Sequence, residues 1–150
     1  MLNHTHLIAV PENKDSLRSA IEAHSRYARM INFREGWRGY FWQGRFSSFV
    51  MDETYSLTVD PYIELNPVRA KLVNDPGDYR CSSCNAHLNG KDNKLVRVKS
   101  LLNRIHNWKD FLHKPVSEFE ADSMQKHERT GRPIGNDRFI KQLESETGDI

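Results

Sequence analysis

Six prolines punctuate this 150-residue chain, at positions 11, 61, 67, 76, 115 and 133. Proline removes a backbone donor and fixes φ, so these positions, together with the glycines, set where regular structure can run. Ahead of Pro11, residues 4–10 (His-Thr-His-Leu-Ile-Ala-Val) read as a strand. After it, Leu17, Ala20, Ile21, His24, Tyr27, Ala28 and Ile31 recur at three- and four-residue steps, which predicts a helix over 16–34, capped by Asp15 and stopped by Gly36. Residues 36–44 form an aromatic loop, and 46–51 read as a second strand. Asp52 caps a helix bearing Tyr55, Thr58, Val59 and Tyr62 on one side, which Pro61 interrupts or restarts. Asn66-Pro67 closes it and opens a short helix through Val73. Residues 74–90 are loop-like, with a turn at Asp75-Pro76-Gly77.

The last third is helical. Val98, Leu101, Leu102, Ile105, Trp108 and Leu112 make one amphipathic stripe, and Ser117-x-x-Glu120 has the form of a capping box. Thr130–Gly135 is a turn, and Phe139, Ile140 and Leu143 mark a final helix. A soft boundary near 90–95 separates a domain over 1–90 from a helical extension over 91–150.

Composition bounds the function. The chain is 37% hydrophobic with a mean hydropathy of -0.73, so its core is modest. No apolar run approaches a membrane span, and no secretory leader is read at the start; the expected compartment is the cytoplasm. The net charge is only +2, but cations cluster. Lys14, Arg18, Arg26, Arg29, Arg34, Arg38 and Arg45 are interleaved with Tyr27, Trp37, Tyr40, Phe41 and Trp42, and guanidinium groups beside aromatic rings suit phosphates and unstacked bases. A solvated helix face followed by core aromatics has the same pattern. Cys81, Cys84 and His87 read Cys-x-x-Cys-x-x-His, without a second ligand pair at zinc-site spacing, so two reduced cysteines are expected.

Two short motifs bear on chemistry. On a strand His4 and His6 point to one face and can share a divalent ion. Four residues apart on a helix, Tyr62 and Asn66 share a face, placing a phenol beside an amide ligand. That pairing suits phosphodiester cleavage: the ion polarises the phosphate, and a phosphotyrosine keeps the bond energy for rejoining strands. Plainer readings exist for each: exposed histidines, a core tyrosine, and an N-cap asparagine ahead of Pro67.

Taken together, His4-Thr5-His6-Leu7-Ile8, Phe41-Trp42-Gln43-Gly44-Arg45-Phe46, Tyr62-Ile63-Glu64-Leu65-Asn66-Pro67-Val68-Arg69-Ala70, Asp78-Tyr79-Arg80-Cys81-Ser82-Ser83 and Thr130-Gly131-Arg132-Pro133-Ile134-Gly135 resemble, in that order, the REP-associated tyrosine transposases, single-tyrosine members of the HUH superfamily. The resemblance spans nearly the whole chain, and Tyr62–Ala70 is its most specific part. It implies an α+β fold: an antiparallel, ferredoxin-like sheet carrying the histidine pair, flanked by helices, with a helical C-terminal extension. It implies Tyr62 as nucleophile, His4, His6 and Asn66 around Mg²⁺ or Mn²⁺, and single-stranded or hairpin DNA as substrate. Arg45, Arg69, Arg132, Gln43 and Trp42 are the expected DNA contacts, with Arg129 beside Arg132 in a helix–turn–helix-like tail. Some relatives exchange active-site elements between subunits, so a homodimer stands beside a monomer among the expected states. The implied activity is DNA cleavage and strand transfer at the nucleoid.

Three departures accompany the resemblance. A strand–helix–strand segment that precedes the histidine motif in relatives is expected to be missing, Thr5 replaces a bulky hydrophobe, and Pro61 directly precedes Tyr62. They bear on catalytic competence and give an alternative: an inactive, truncated or domesticated protein that binds hairpin DNA without cutting it.

Overall fold

The computed structural model describes residues 4–13, 15–44, 46–114 and 118–148. Lys14, Arg45 and the Ser117-x-x-Glu120 capping box lie outside the described residues. The order of elements is α1 (Ser16–Glu35), α2 (Glu53–Glu64), α3 (Asn66–Arg69), a 3-10 turn (Pro76–Asp78), α4 (Cys84–Asn89), α5 (Lys99–Leu102), α6 (Trp108–Leu112), α7 (Glu118–Thr130) and α8 (Asp137–Thr147). The expected α+β architecture is therefore corrected to a helical one. Among the described residues there is no sheet, only a single parallel bridge between Met51 and Ile134. Neither 4–10 nor 46–51 forms a strand. A strand exists only when a neighbour completes its ladder, and apolar alternation alone supplies none; Leu7 and Val10 stand exposed.

The chain divides into two compact units, 7–47 and a second made of the His4–His6 segment with 48–148. In the first, α1 runs as the periodicity requires. Its entry differs from expectation: Asp15 makes no side-chain cap, and Asn13 instead accepts from the Asp15 amide at 2.9 Å. Its exit follows expectation, with Gly36 in the left-handed region (φ 66°) and Trp37 N–H donating to the Asn32 carbonyl at 2.9 Å. The Asn32 amide also holds the Gly39 carbonyl at 3.0 Å. The apolar stripe does not become a buried face: Ile31 is buried, while Leu17, Ile21 and Tyr27 are exposed.

In the second unit α2 is the central strut. Asp52 accepts from the Tyr55 amide at 2.7 Å through Oδ1, the predicted cap. Its Oδ2 accepts from the Asn136 backbone and side-chain nitrogens at 2.9 and 3.2 Å. One buried carboxylate thus ties the start of α2 to the entry of α8, and Asn136 in turn caps α8 through the Phe139 amide at 3.0 Å. Gly135 is required at this crossing, since a Cβ would lie 2.6 Å from the Phe139 ring and 2.9 Å from Asp52 Oδ2. Arg104 pairs with Glu53, and Tyr55 Oη lies 3.2 Å from Ser123 Oγ on α7.

Pro61 neither breaks nor restarts α2, which continues to Glu64. The 98–112 stripe is not one helix. It divides into α5 and α6, the latter capped by Asn107 accepting from the Asp110 amide at 3.2 Å. Cys84, Trp108 and Leu112 form the core, covered by Leu65, Leu101, Leu102, Ile105 and Phe111. The 74–90 stretch contributes a 3-10 turn and α4 to this core rather than remaining a loop.

Replacing Asp52 by Ala removes the α2 cap and orphans the Asn136 donors. We expect a loss of about 2 kcal/mol or more, read as a lower denaturant midpoint at unchanged m-value. An unchanged midpoint would refute the role given to Asp52.

Candidate functional site

The Tyr62 side of α2 gathers most of the residues singled out in the sequence. The His4 and His6 rings lie 4.9 Å apart, edge to face. His6 meets the Tyr62 ring edge-on at 6.4 Å. The Arg69 guanidinium lies 3.8 Å from the centre of the Tyr62 ring. Its Nη2 donates to the Tyr62 carbonyl at 2.8 Å and to Asn66 Oδ1 at 3.3 Å. Asn66 is thus not an N-cap, as its plainer reading had it. Leu65 holds that position without a side-chain bond, which leaves the Asn66 amide facing Arg69.

The imidazole of His6 is pushed below its ordinary pKa by burial, with His4 and Arg69 acting in the same direction and Glu128 opposing them. A neutral imidazole is the form that binds a metal ion. Imidazole nitrogens and an amide oxygen are the donor types a divalent ion takes, but the Asn66 oxygen here faces the Arg69 guanidinium, and among the described residues no three His, Cys, Asp or Glu side chains gather as a metal site. Cys81 is exposed, Cys84 is buried, and burial with Glu64 nearby pushes the Cys84 thiol far up.

Trp42 belongs to the first unit, stacked on His24 with ring centres 5.4 Å apart, beside Tyr27 and Phe41. Gln43 is exposed in the same loop. Arg132 follows α7, and its carbonyl is 2.9 Å from His127 Nδ1. Arg129 lies in the last turn of α7, and α8 begins at Asp137.

Sequence reasoning missed what lies on the inner side of α2. Glu64 is about 1% exposed. Ser83 Oγ donates to its Oε1 at 2.5 Å, and Trp108 Nε1 donates to its Oε2 at 2.8 Å. His87 Nδ1 lies 2.7 Å from Oε1; a carboxylate only accepts, so that nitrogen carries the hydrogen. Burial opposes ionisation of Glu64, but these bonds outweigh it and hold the carboxyl below its ordinary pKa. One turn earlier Asp60 is buried, and among the described residues its Oδ2 has no hydrogen-bond partner. Burial, then repulsion from Glu64, pushes the Asp60 carboxyl up to about 7, against the pull of His87. A carboxylate at the centre of a helical motif was the available signal, but its partners are 19, 23 and 44 residues away.

A raised Asp60 pKa means that the folded chain keeps a proton the unfolded chain releases. This group's contribution is therefore full below its unfolded pKa of 3.8 and is lost as the pH rises to about 7. Asp60→Asn should accordingly stabilise the protein by on the order of 2 kcal/mol at pH 8, and by less at pH 5. Melts of both proteins at the two pH values check this; an equal or reversed difference would refute it.

Comparison with protein-family models, with curated proteins and with solved structures finds no match to this chain.

Proposed function

We propose that this protein is a metal-dependent DNA endonuclease and strand transferase that acts on single-stranded DNA at hairpins, in the manner of the REP-associated tyrosine transposases that its motifs resemble. The observation that carries the reading is the meeting of His4, His6, Tyr62, Asn66 and Arg69, from two distant motifs, on one side of α2. Tyr62 is the nucleophile. Its oxygen bonds to phosphorus, the bond to the 3′-oxygen breaks, and a 5′-phosphotyrosine and a free 3′-hydroxyl result. The phenolic proton passes to solvent, and the leaving oxygen takes one up. Reversal by another 3′-hydroxyl rejoins DNA without any other energy source.

His4, His6 and Asn66 would hold the divalent ion, which supplies polarisation of the scissile phosphate. A set with two imidazoles suits Mn²⁺ better than Mg²⁺. Arg69 is always charged and has more N–H donors than its two observed bonds use, so it can also bind a phosphate oxygen. In the first unit Arg18, Arg26, Arg29 and Arg38 accompany the His24–Trp42 stack and the fully exposed Tyr40 ring. Such a surface suits the backbone and bases of a single strand. No described helix is long and apolar enough to cross a membrane, and a DNA substrate would place the protein at the nucleoid.

The lack of a sheet among the described residues favours a second reading, a hairpin-DNA-binding protein that does not cut, because no described strand pairs with the His4–His6 segment. Covalent capture separates the two. Protein with labelled single-stranded hairpin DNA and Mn²⁺ should give a denaturation-resistant band, absent without metal and absent in Tyr62→Phe. DNA binding without any band would support the second reading.

Binding should also weaken steeply with salt. Replacing Arg26, Arg29 and Arg38 by Ala should reduce the slope of log K against log salt by about 2. An unchanged slope would remove the first unit from the DNA path.

A further inference from the structure

Tyr62, Glu64 and Asn66 follow one another at two-residue steps across the α2–α3 junction. Two helical residues turn the direction by about 200°, so Glu64 points inward while Tyr62 and Asn66 share the opposite side. The backbone under this site is weak for two reasons. Pro61 has no N–H for the carbonyl one turn back, so the last turn of α2 lacks a ladder bond. The following helix, α3, has four residues, too few to be stable by itself. Between these two weak pieces sits buried Glu64, bonded by Ser83, His87 and Trp108.

We propose that Glu64 is a positioning residue for the Tyr62 site: held by Ser83 and His87 on the α4 side and Trp108 on α6, it sets the rotation of the last turn of α2 and of α3, and thereby aims the Tyr62 phenol at His6 and presents Asn66 to Arg69. Glu64 touches neither DNA nor metal in this role. Its functional meaning rests on the reading of Tyr62 as nucleophile; its structural content does not. The local device is a side-chain anchor that replaces the missing backbone bond at Pro61. Nucleophile misplacement of about 1 Å is enough to slow a reaction on the order of a hundredfold, so a small rotation at this junction matters to chemistry before it matters to folding.

The experiment uses the full chain with 3-fluorotyrosine at its five tyrosines, the Tyr62 resonance being assigned by its loss in Tyr62→Phe. Two variants are compared with wild type well below their melting temperatures: Glu64→Gln, and the milder Trp108→Phe, which removes only the indole donor and keeps a ring in the core. We expect the Tyr62 fluorine resonance to shift or broaden in both, while those of Tyr27, Tyr40 and Tyr79 stay in place. With saturating single-stranded hairpin DNA and Mn²⁺, adduct formation should slow by about a hundredfold in Glu64→Gln, with DNA affinity within about twofold of wild type. A Glu64 that only glues the core would lower the melting temperature and move neither readout. An unmoved Tyr62 resonance in either folded variant overturns the proposal. So does an unchanged adduct rate where wild type forms one. If wild type forms no adduct, the nucleophile reading fails, and the fluorine result alone decides the role of Glu64.

Discussion

The Glu64 carboxylate is the interaction on which the second unit depends. A buried charge without partners would cost several kcal/mol, and removing one partner of a buried pair is among the more damaging changes a core can suffer. Here each oxygen is met: Oε1 by Ser83 and His87, Oε2 by Trp108. Those donors belong to the entry of α4, to α4 itself and to the first residue of α6. One side chain therefore orients three helices, and the apolar cluster of Cys84, Trp108 and Leu112 closes around it. Asp60 shows the consequence. It lies buried one turn earlier with Oδ2 unpartnered among the described residues, and burial first, then repulsion from Glu64, keep it from ionising as readily.

The same helix faces two environments with opposite demands. Its inner side buries the Asp60 and Glu64 carboxyls, and its outer side carries Tyr62 with a cation stacked on it. Asp52 fixes the N-terminal end of α2 through the Tyr55 amide and the Asn136 donors, and Glu64 fixes the C-terminal end. Both anchors are carboxylates saturated by donors from later in the chain. Polar cores of this kind specify orientation more sharply than apolar packing does, since a hydrogen bond fails at angles and distances an aliphatic contact tolerates.

What was legible in the sequence was local. The α1 periodicity, the Gly36 stop, the Asp52 cap and the α8 stripe each depend on residues within a few positions of one another, and each appears in the structure. The strands at 4–10 and 46–51 were not decidable in this way, because pairing is a property of two segments and alternation describes one. The 98–112 stripe misled for a related reason: its spacing is compatible with one helix, but Asn107 starts a new one by capping the Asp110 amide. Tyr62 and Asn66 could be placed on one side by their spacing. That His6 meets Tyr62, and that Arg69 bridges Tyr62 to Asn66, are tertiary facts. Ser83, His87 and Trp108 carried no signal as partners of Glu64, since nothing in the pattern links residues so far apart.

Arg69 completes the logic of the junction from the outside. The C-terminal end of a helix exposes carbonyl groups without helical partners and carries partial negative charge. Arg69 meets it with a guanidinium that bonds the Tyr62 carbonyl and stacks on the Tyr62 ring. A lysine could supply the charge but not the planar stack and the simultaneous bond to Asn66. The last turn of α2, short of one bond because of Pro61, is thus clamped by an anion from within and by a cation from without. The two clamps act on different atoms: Glu64 governs the direction in which the turn faces, and Arg69 governs the attitude of the ring and the amide on it. Loss of Glu64 would leave the Ser83, His87 and Trp108 donors unpaired in the core and cost stability together with the direction of the turn, whereas loss of Arg69, whose bonds lie at the surface, would leave the core intact and release only the ring and the amide.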